Sequence, residues 1–346
     1  MTGFIGAGLV GRDLLGEIYL RRIVWRDLSN LQDLTNLSGT QIIFNLENLI
    51  RNFYQVPYLR LNIYLFCWLH GIDCFVLKYY TLMELLPVEK IQINARKIAE
   101  IDSVVKSIYR LIIYSRYHLD DDLLDIYVTG VNDLKEQLSI KNAQMEAQNE
   151  EEAIEYVKNL KVSLDFVISE IVFHQNLSKE IQLFQLLRLV SPETNALHPN
   201  RYRHTMVQIG AHICPDPMMV PSLVAELFYR IQHISNPIIR AIYFHHELIR
   251  IHPFADGNGR VTRIAKNWML MYELYPPIFI NDAPQKKDYI STLANSFREL
   301  EKSPNQWNRY TELFFEQELD RLLINSNLLY ESINLKGLSR ECQGVI

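Results

Sequence analysis

The consecutive residues His252-Pro253-Phe254-Ala255-Asp256-Gly257-Asn258-Gly259-Arg260-Val261-Thr262-Arg263 constrain this chain more than any other stretch. A mostly apolar segment, Leu248 to Ile251, leads into them, and Ile264 to Leu270 leads out in helical phase. The pattern predicts helix, tight polar loop, helix. Each residue type inside the loop suits a phosphate group. Gly257 and Gly259 let the backbone turn tightly and come close to a ligand. The N–H groups from Asn258 onward open the second helix, where unpaired donors and the positive dipole end attract an anion. Arg260 and Arg263 lie three apart, so both can project from its first turn. Asp256 is placed to hold a hard cation such as Mg2+ beside the phosphates. His252 stands just ahead of the loop, as the base for an attacking hydroxyl. A polar connection with merely solvated charges needs one glycine and a cap, not this whole set.

The 346 residues, 48% of them hydrophobic, suffice for one large or two modest domains. A formal net charge of -5 gives no electrostatic case for nucleic acid as a partner. Cys67, Cys74, Cys214 and Cys342 have no paired CxxC spacing. That argues against structural zinc and a disulfide framework, and fits a reducing, cytoplasmic location. The N-terminus lacks the pattern of a signal peptide. The most membrane-like run, Ile63 to Leu77, is short for a span and is interrupted by His70 and Asp73. A buried core helix is expected there, and no membrane partner.

The loop resembles the signature of the Fic (filamentation induced by cAMP) family, His-Pro-Phe-x-Asp/Glu-Gly-Asn-Gly-Arg-x-x-Arg, and matches it at every fixed position. The resemblance implies transfer of AMP from ATP to a hydroxyl side chain of a target protein. The residue chemistry alone implies only the handling of nucleotide phosphates. The fold expected is all-α: a Fic-type helical bundle core with a short β-hairpin flap, plus an N-terminal helical region. Residues 1–150 would form that region, 151–310 the core with its flap at 203–215, and 311–346 a C-terminal helix.

By resemblance, His252 is the general base and Asp256 binds Mg2+. The backbones of Gly257, Asn258 and Gly259 hold the α- and β-phosphates of ATP, and Arg260 and Arg263 stabilise the leaving pyrophosphate. Tyr289 resembles the family tyrosine that approaches the nucleobase or ribose; a buried helix tyrosine is the other reading. Other donors or groups (phosphate, UMP, phosphocholine) remain alternatives, although Gly259 leans against the phosphorylating subgroup, which tends to carry lysine there. A non-enzymatic helical adaptor is the second class of reading, and the intact His, Asp and both Arg oppose it.

Elsewhere the chain reads as helices. Gly6 to Gly11 matches G-x-G-x-x-G, but no buried strand precedes it, so a glycine-rich turn is expected. Ile91, Ile93, Ile98, Ile101, Val104, Val105, Ile108, Leu111 and Ile112 recur at helical spacing. Consecutive carboxylates at Asp120 to Asp122 point to different sides of a helix and cannot converge on a metal. A soft boundary is expected at 142–152. Ser178 is the expected N-cap of a helix ending at Ser191-Pro192.

Val207, Gln208, Ile209 and Gly210 carry the one convincing β signal. This hairpin looks like the Fic flap, where a target protein would dock by β pairing; self-modification is also open. Asn236-Pro237 and Ser303-Pro304 each read as an N-cap followed by a first-turn proline. Asn327-x-x-x-Glu331-Ser332 resembles the inhibitory helix of many Fic proteins, with Glu331 placed to pair with Arg263; a solvent-exposed glutamate is the alternative.

Overall fold

The computed structural model describes residues 83–119 except 93, residues 131 and 144, and residues 147–343 except 281, 282 and 305. All of these fall in the compact unit Tyr80–Ile346. The glycine-rich turn at 6–11, the helix expected at 63–77, Asp120 to Asp122 and most of the N-terminal helical region lie outside the described residues.

The helices are α1 (Ala95–Leu119), α2 (Glu150–Val172), α3 (Glu180–Val190), α4 (Pro192–Leu197), α5 (Val220–Ile231), α6 (Pro237–Ile251), α7 (Asn258–Tyr272), α8 (Ala283–Lys302) and α9 (Arg309–Gln343). A hairpin of β1 (Gln208–Ile209) and β2 (His212–Ile213) is the one sheet among the described residues. The all-α expectation with a small hairpin holds.

Helices α6 and α7 pack against each other at the centre. From Ile238 onward every residue of α6 except Arg240 is buried. In α7 every residue is buried except Gly259, Arg263 and Tyr272. A helix enclosed on all sides must be covered by neighbours. Here α5 covers α6, and α2 and α3 cover α7. α9 packs along α1 and α8. The stripe Ile98, Ile101, Val105, Ile108 and Ile112 is the face that α1 buries, so residues from Ala95 onward belong to the same unit as the core.

Local signals set the helix ends. Asn236 caps α6, its side chain accepting from Ile239 N at 3.0 Å, with Pro237 in the first turn. α3 begins at Glu180, and Ser178 is not its cap. The Gln182 side chain reaches back instead and accepts from the N–H groups of Ser178 and Lys179, both at 2.8 Å. Ser303-Pro304 does not start α9. Asn308 does, its carbonyl oxygen accepting from Tyr310 N and Thr311 N at 3.0 and 2.9 Å.

A buried ionic cluster ties α9 to the centre. Glu318, fully buried, meets Lys266 Nζ at 2.5 Å and Arg321 Nη1 at 2.6 Å, with His245 Nδ1 at 3.6 Å. Burial pushes the Glu318 carboxyl up, but Lys266, His245 and Arg321 outweigh it and hold the pKa well below the ordinary carboxylate range. Removing one member leaves an uncompensated charge in the core. Glu318→Ala is therefore expected to cost about 3–5 kcal/mol of unfolding free energy in urea titration. Glu316→Ala, which breaks the half-exposed pair with Lys97, should cost about 1 kcal/mol or less. Equal losses in the two variants would contradict the burial argument.

Candidate active site

α6 ends at His252, which adopts left-handed backbone geometry with φ 53° and ψ 63°. A helix that ends this way normally uses glycine there, and a non-glycine residue costs about 1–2 kcal/mol. Such strain, held in place by its surroundings, is concentrated at functional positions.

The loop that follows is anchored, not floppy. Phe254 is buried against Phe184 and Tyr202, at ring-centroid distances of 5.9 and 5.8 Å. Asn258 braces the turn from its far end: its Oδ1 accepts from Phe254 N at 2.8 Å and its Nδ2 donates to Phe254 O at 2.9 Å. The reading of Asn258 as a backbone donor missed this side-chain role.

Gly257 is the N-cap of α7 at φ 77°, and a Cβ there would lie 2.9 Å from Ser191 Cβ. Only glycine fits that backbone against the α3–α4 corner. A glycine N-cap has no side-chain oxygen to cover the first N–H groups of α7. Among the described hydrogen bonds, none takes the main-chain N–H of Asn258, Gly259 or Arg260. Gly259 and Arg263 are the partly exposed residues over this end. Arg263 Nη1 sits 3.2 Å from where a Gly259 Cβ would be, so the guanidinium folds over the first turn. The uncapped helix end and this guanidinium lie side by side, both of positive polarity.

The structure separates the two signature arginines. Arg260 is buried, donating to Val190 O at 2.9 Å and Ser191 Oγ at 3.3 Å, and lies 4.0 Å above the Tyr156 ring. It also pairs with Asp256 Oδ2 at 3.0 Å. It is a strut between the loop and the α3–α4 corner. Asp256 is exposed, and among the described residues no cluster of three metal-ligating side chains exists. A lone carboxylate fits Mg2+ only as a partner of phosphate oxygens and water.

His252 is mostly buried, and its Nδ1 makes no hydrogen bond of ordinary geometry. Burial lowers its pKa to about 4; the Ile249 backbone opposes this, and the Arg203 charge adds to it. The imidazole is neutral at pH 7 and can accept a proton. The hairpin forms where expected: Gln208 pairs with Ile213 and Ile209 with His212, around a two-residue turn with Gly210 at φ 59°. Val207 O accepts from Cys214 N at 3.0 Å.

Two further predicted residues lie on α8 and α9. Tyr289 is buried in the core, its hydroxyl 2.9 Å from His245 Nε2 and its ring stacked on that imidazole. It has the burial expected of a core helix tyrosine. Glu331 is exposed, because Leu322, Leu329 and Ile333 set the buried face of α9. No hydrogen bond or ion pair of Glu331 occurs among the described residues, so it does not meet Arg263. Deeper in the core, Glu247, His246, Ser296 and Thr311 form a hydrogen-bonded chain at 2.7, 2.9 and 2.6 Å. It has the connectivity of a hydrolase triad, but all its side chains are buried away from any substrate.

Residues 173–270 match the Fic/DOC family. That match takes in less than a third of the chain. Over 111 residues it is 34% identical to the protein adenylyltransferase Fic of Drosophila erecta, covering 31% of this chain and 22% of that protein. The protein of the same name from Culex quinquefasciatus is 26% identical over 160 residues, covering 45% and 31% of the two chains. The chain thus spans less than a third of the length of these relatives. Its fold is similar to that of a Fic domain containing signaling protein from Bacteroides thetaiotaomicron VPI-5482, with TM-score 0.52 and 20% identity over 69% of this chain and 97% of that one. The Fic match ends at residue 270, so α8, α9 and α1 complete the core outside it.

Buried neutral histidines make the core acid-sensitive. Burial, reinforced by Lys266, lowers His245 to about 4, and burial lowers His246 despite Glu247. With His252 there are three such groups. Below the unfolded value of about 6.5 the unfolded chain binds protons that the native state refuses, so stability is full above that pH and falls as pH drops toward 4. The slope expected in urea titrations between pH 7 and 5 reaches up to about 1.4 kcal/mol per pH unit for each histidine. A flat profile over that range would contradict the burial of these rings.

Proposed function

We propose that this protein transfers AMP from ATP to a hydroxyl side chain of a target protein. The observation that carries the reading is the pairing of a neutral, strained His252 with the uncapped N-terminus of α7 under Arg263. His252 accepts the proton of the target hydroxyl. The hydroxyl oxygen forms a bond to the α-phosphorus, and the bond from that phosphorus to the pyrophosphate oxygen breaks. The α7 amides and Arg263 stabilise the charge that develops on the phosphates, as positioned donors do in phosphoryl transfer. Asp256 is the carboxylate that would hold a Mg2+ arriving with the nucleotide, which neutralises phosphate charge. Arg260 contributes by holding Asp256 and the loop.

The target would lie on β1. The outward N–H of Ile213 on β2 is already taken by Glu301 Oε1 at 3.2 Å, whereas no described hydrogen bond uses the backbone of Gln208. An extended segment can add to that open edge through main-chain hydrogen bonds. A cytoplasmic setting agrees with the scattered cysteines. No helix among the described residues is long and apolar enough to cross a membrane.

Incubation with α-labelled and γ-labelled ATP separates the readings. Label on protein from the α position alone, on a target or on the chain itself, is the expected result. Transfer from the γ position would make the chain a kinase, and no transfer from either would favour an adaptor. His252→Ala should lower the rate by about a hundred- to ten-thousand-fold while the urea midpoint at pH 7 moves little. Turnover close to that of the unaltered protein would remove His252 from the mechanism.

A further inference from the structure

Arg203 belongs to no motif, yet it is buried to 3% exposure. Its Nε donates to His252 O at 2.7 Å, and its Nη2 to Ile251 O at 3.3 Å and Pro215 O at 2.6 Å. Its Nη1 donates to Thr205 O at 2.8 Å, and its main-chain N–H to Pro253 O at 2.8 Å. Thr205 precedes β1 and Pro215 follows β2, so the acceptors come from both stems of the hairpin and from the turn that carries His252.

No ion pair of Arg203 exists among the described residues. A buried charge needs compensation. The carbonyl end of α6 supplies it: the last carbonyls of a helix lack intrahelical partners and carry the negative end of its dipole. The planar guanidinium can serve several carbonyls at fixed angles, which a lysine ammonium on a flexible stem cannot.

We propose that Arg203 is a positioning residue that locks the hairpin and His252 into one register. The left-handed backbone of His252 then persists because its carbonyl is tied to the same group that ties the hairpin stems. A segment laid on β1 presents its hydroxyl to a base whose place is already set. What the lock positions rests on the AMP-transfer reading; the lock itself does not.

The test uses Arg203→Gln and Arg203→Lys in the full chain, followed by hydrogen exchange of three regions: 204–215, 250–256 and, as reference, 220–232 within α5. Both variants are expected to exchange about tenfold or more faster in the first two regions together, with the reference unchanged. Faster exchange in only one of the two regions, or in neither, overturns the lock. The Lys variant keeps the buried charge and carries the test if the Gln variant does not fold.

Exchange needs no catalysis. An unaltered protein that transfers no label sinks the activity reading alone, and unlinked exchange in an active protein sinks the lock alone. In kinetics, the kcat for transfer should fall by about fiftyfold or more while the KM for ATP stays within about threefold. A rise in that KM matching the loss in kcat would mean damage to the nucleotide site and would also overturn the positioning role.

Discussion

Between Ile251 and Asn258 the chain must leave one buried helix and enter another. Two helix ends of opposite polarity are thereby brought to one short loop: the carbonyl end of α6 and the amide end of α7. Each end carries backbone groups that lack intrahelical partners. The carbonyl end is satisfied from within by Arg203, whereas no described hydrogen bond takes the first N–H groups of the amide end. Everything else in the site follows from this asymmetry. Phe254 and Asn258 fix the loop, Gly257 permits it to lie against Ser191, and Arg260 braces it from the α3–α4 corner.

The same enclosure explains the unusual number of buried charges. Once α6 and α7 are wrapped on all sides, their polar residues have no route to water. Lys266, Glu318 and Arg321 therefore close on one another, as do His246, Glu247 and Arg250. Such groups add little net stability over apolar packing, but a single deletion is expensive. They hold α9 and residues 85–86 to the central pair through Glu318 and Glu247. The core is thus completed by segments far from the signature in sequence.

How much of this was legible depended on the range of each interaction. Asn236-Pro237, Gly210 and the loop glycines act within a few residues, so their spacing carried the answer. The apolar stripe of α1 was equally plain. Ser303-Pro304 has the form of a cap, yet Asn308 wins because α8 runs on to Lys302 and the chain must turn before α9 starts. Arg203 and Glu301 left no signal, since the bonds that tie them to His252 and His212 span 49 and 89 residues and a single arginine or glutamate has no pattern. Tyr289 and Glu331 show the other limit. Helical spacing predicts a face but not which neighbour covers it, and α9 decided both, burying Tyr289 beside Phe314 and turning Glu331 to solvent.

The hairpin strands have two residues each, and Glu301 closes one side. An edge this short offers few main-chain bonds, each worth about 0.5–1.5 kcal/mol net. It is too brief to template stacking of further copies, which spares the chain the usual hazard of an exposed strand. Residence there is correspondingly short. Under the proposed AMP transfer, a modified segment would leave this edge quickly, and turnover would follow how often a fresh one arrives.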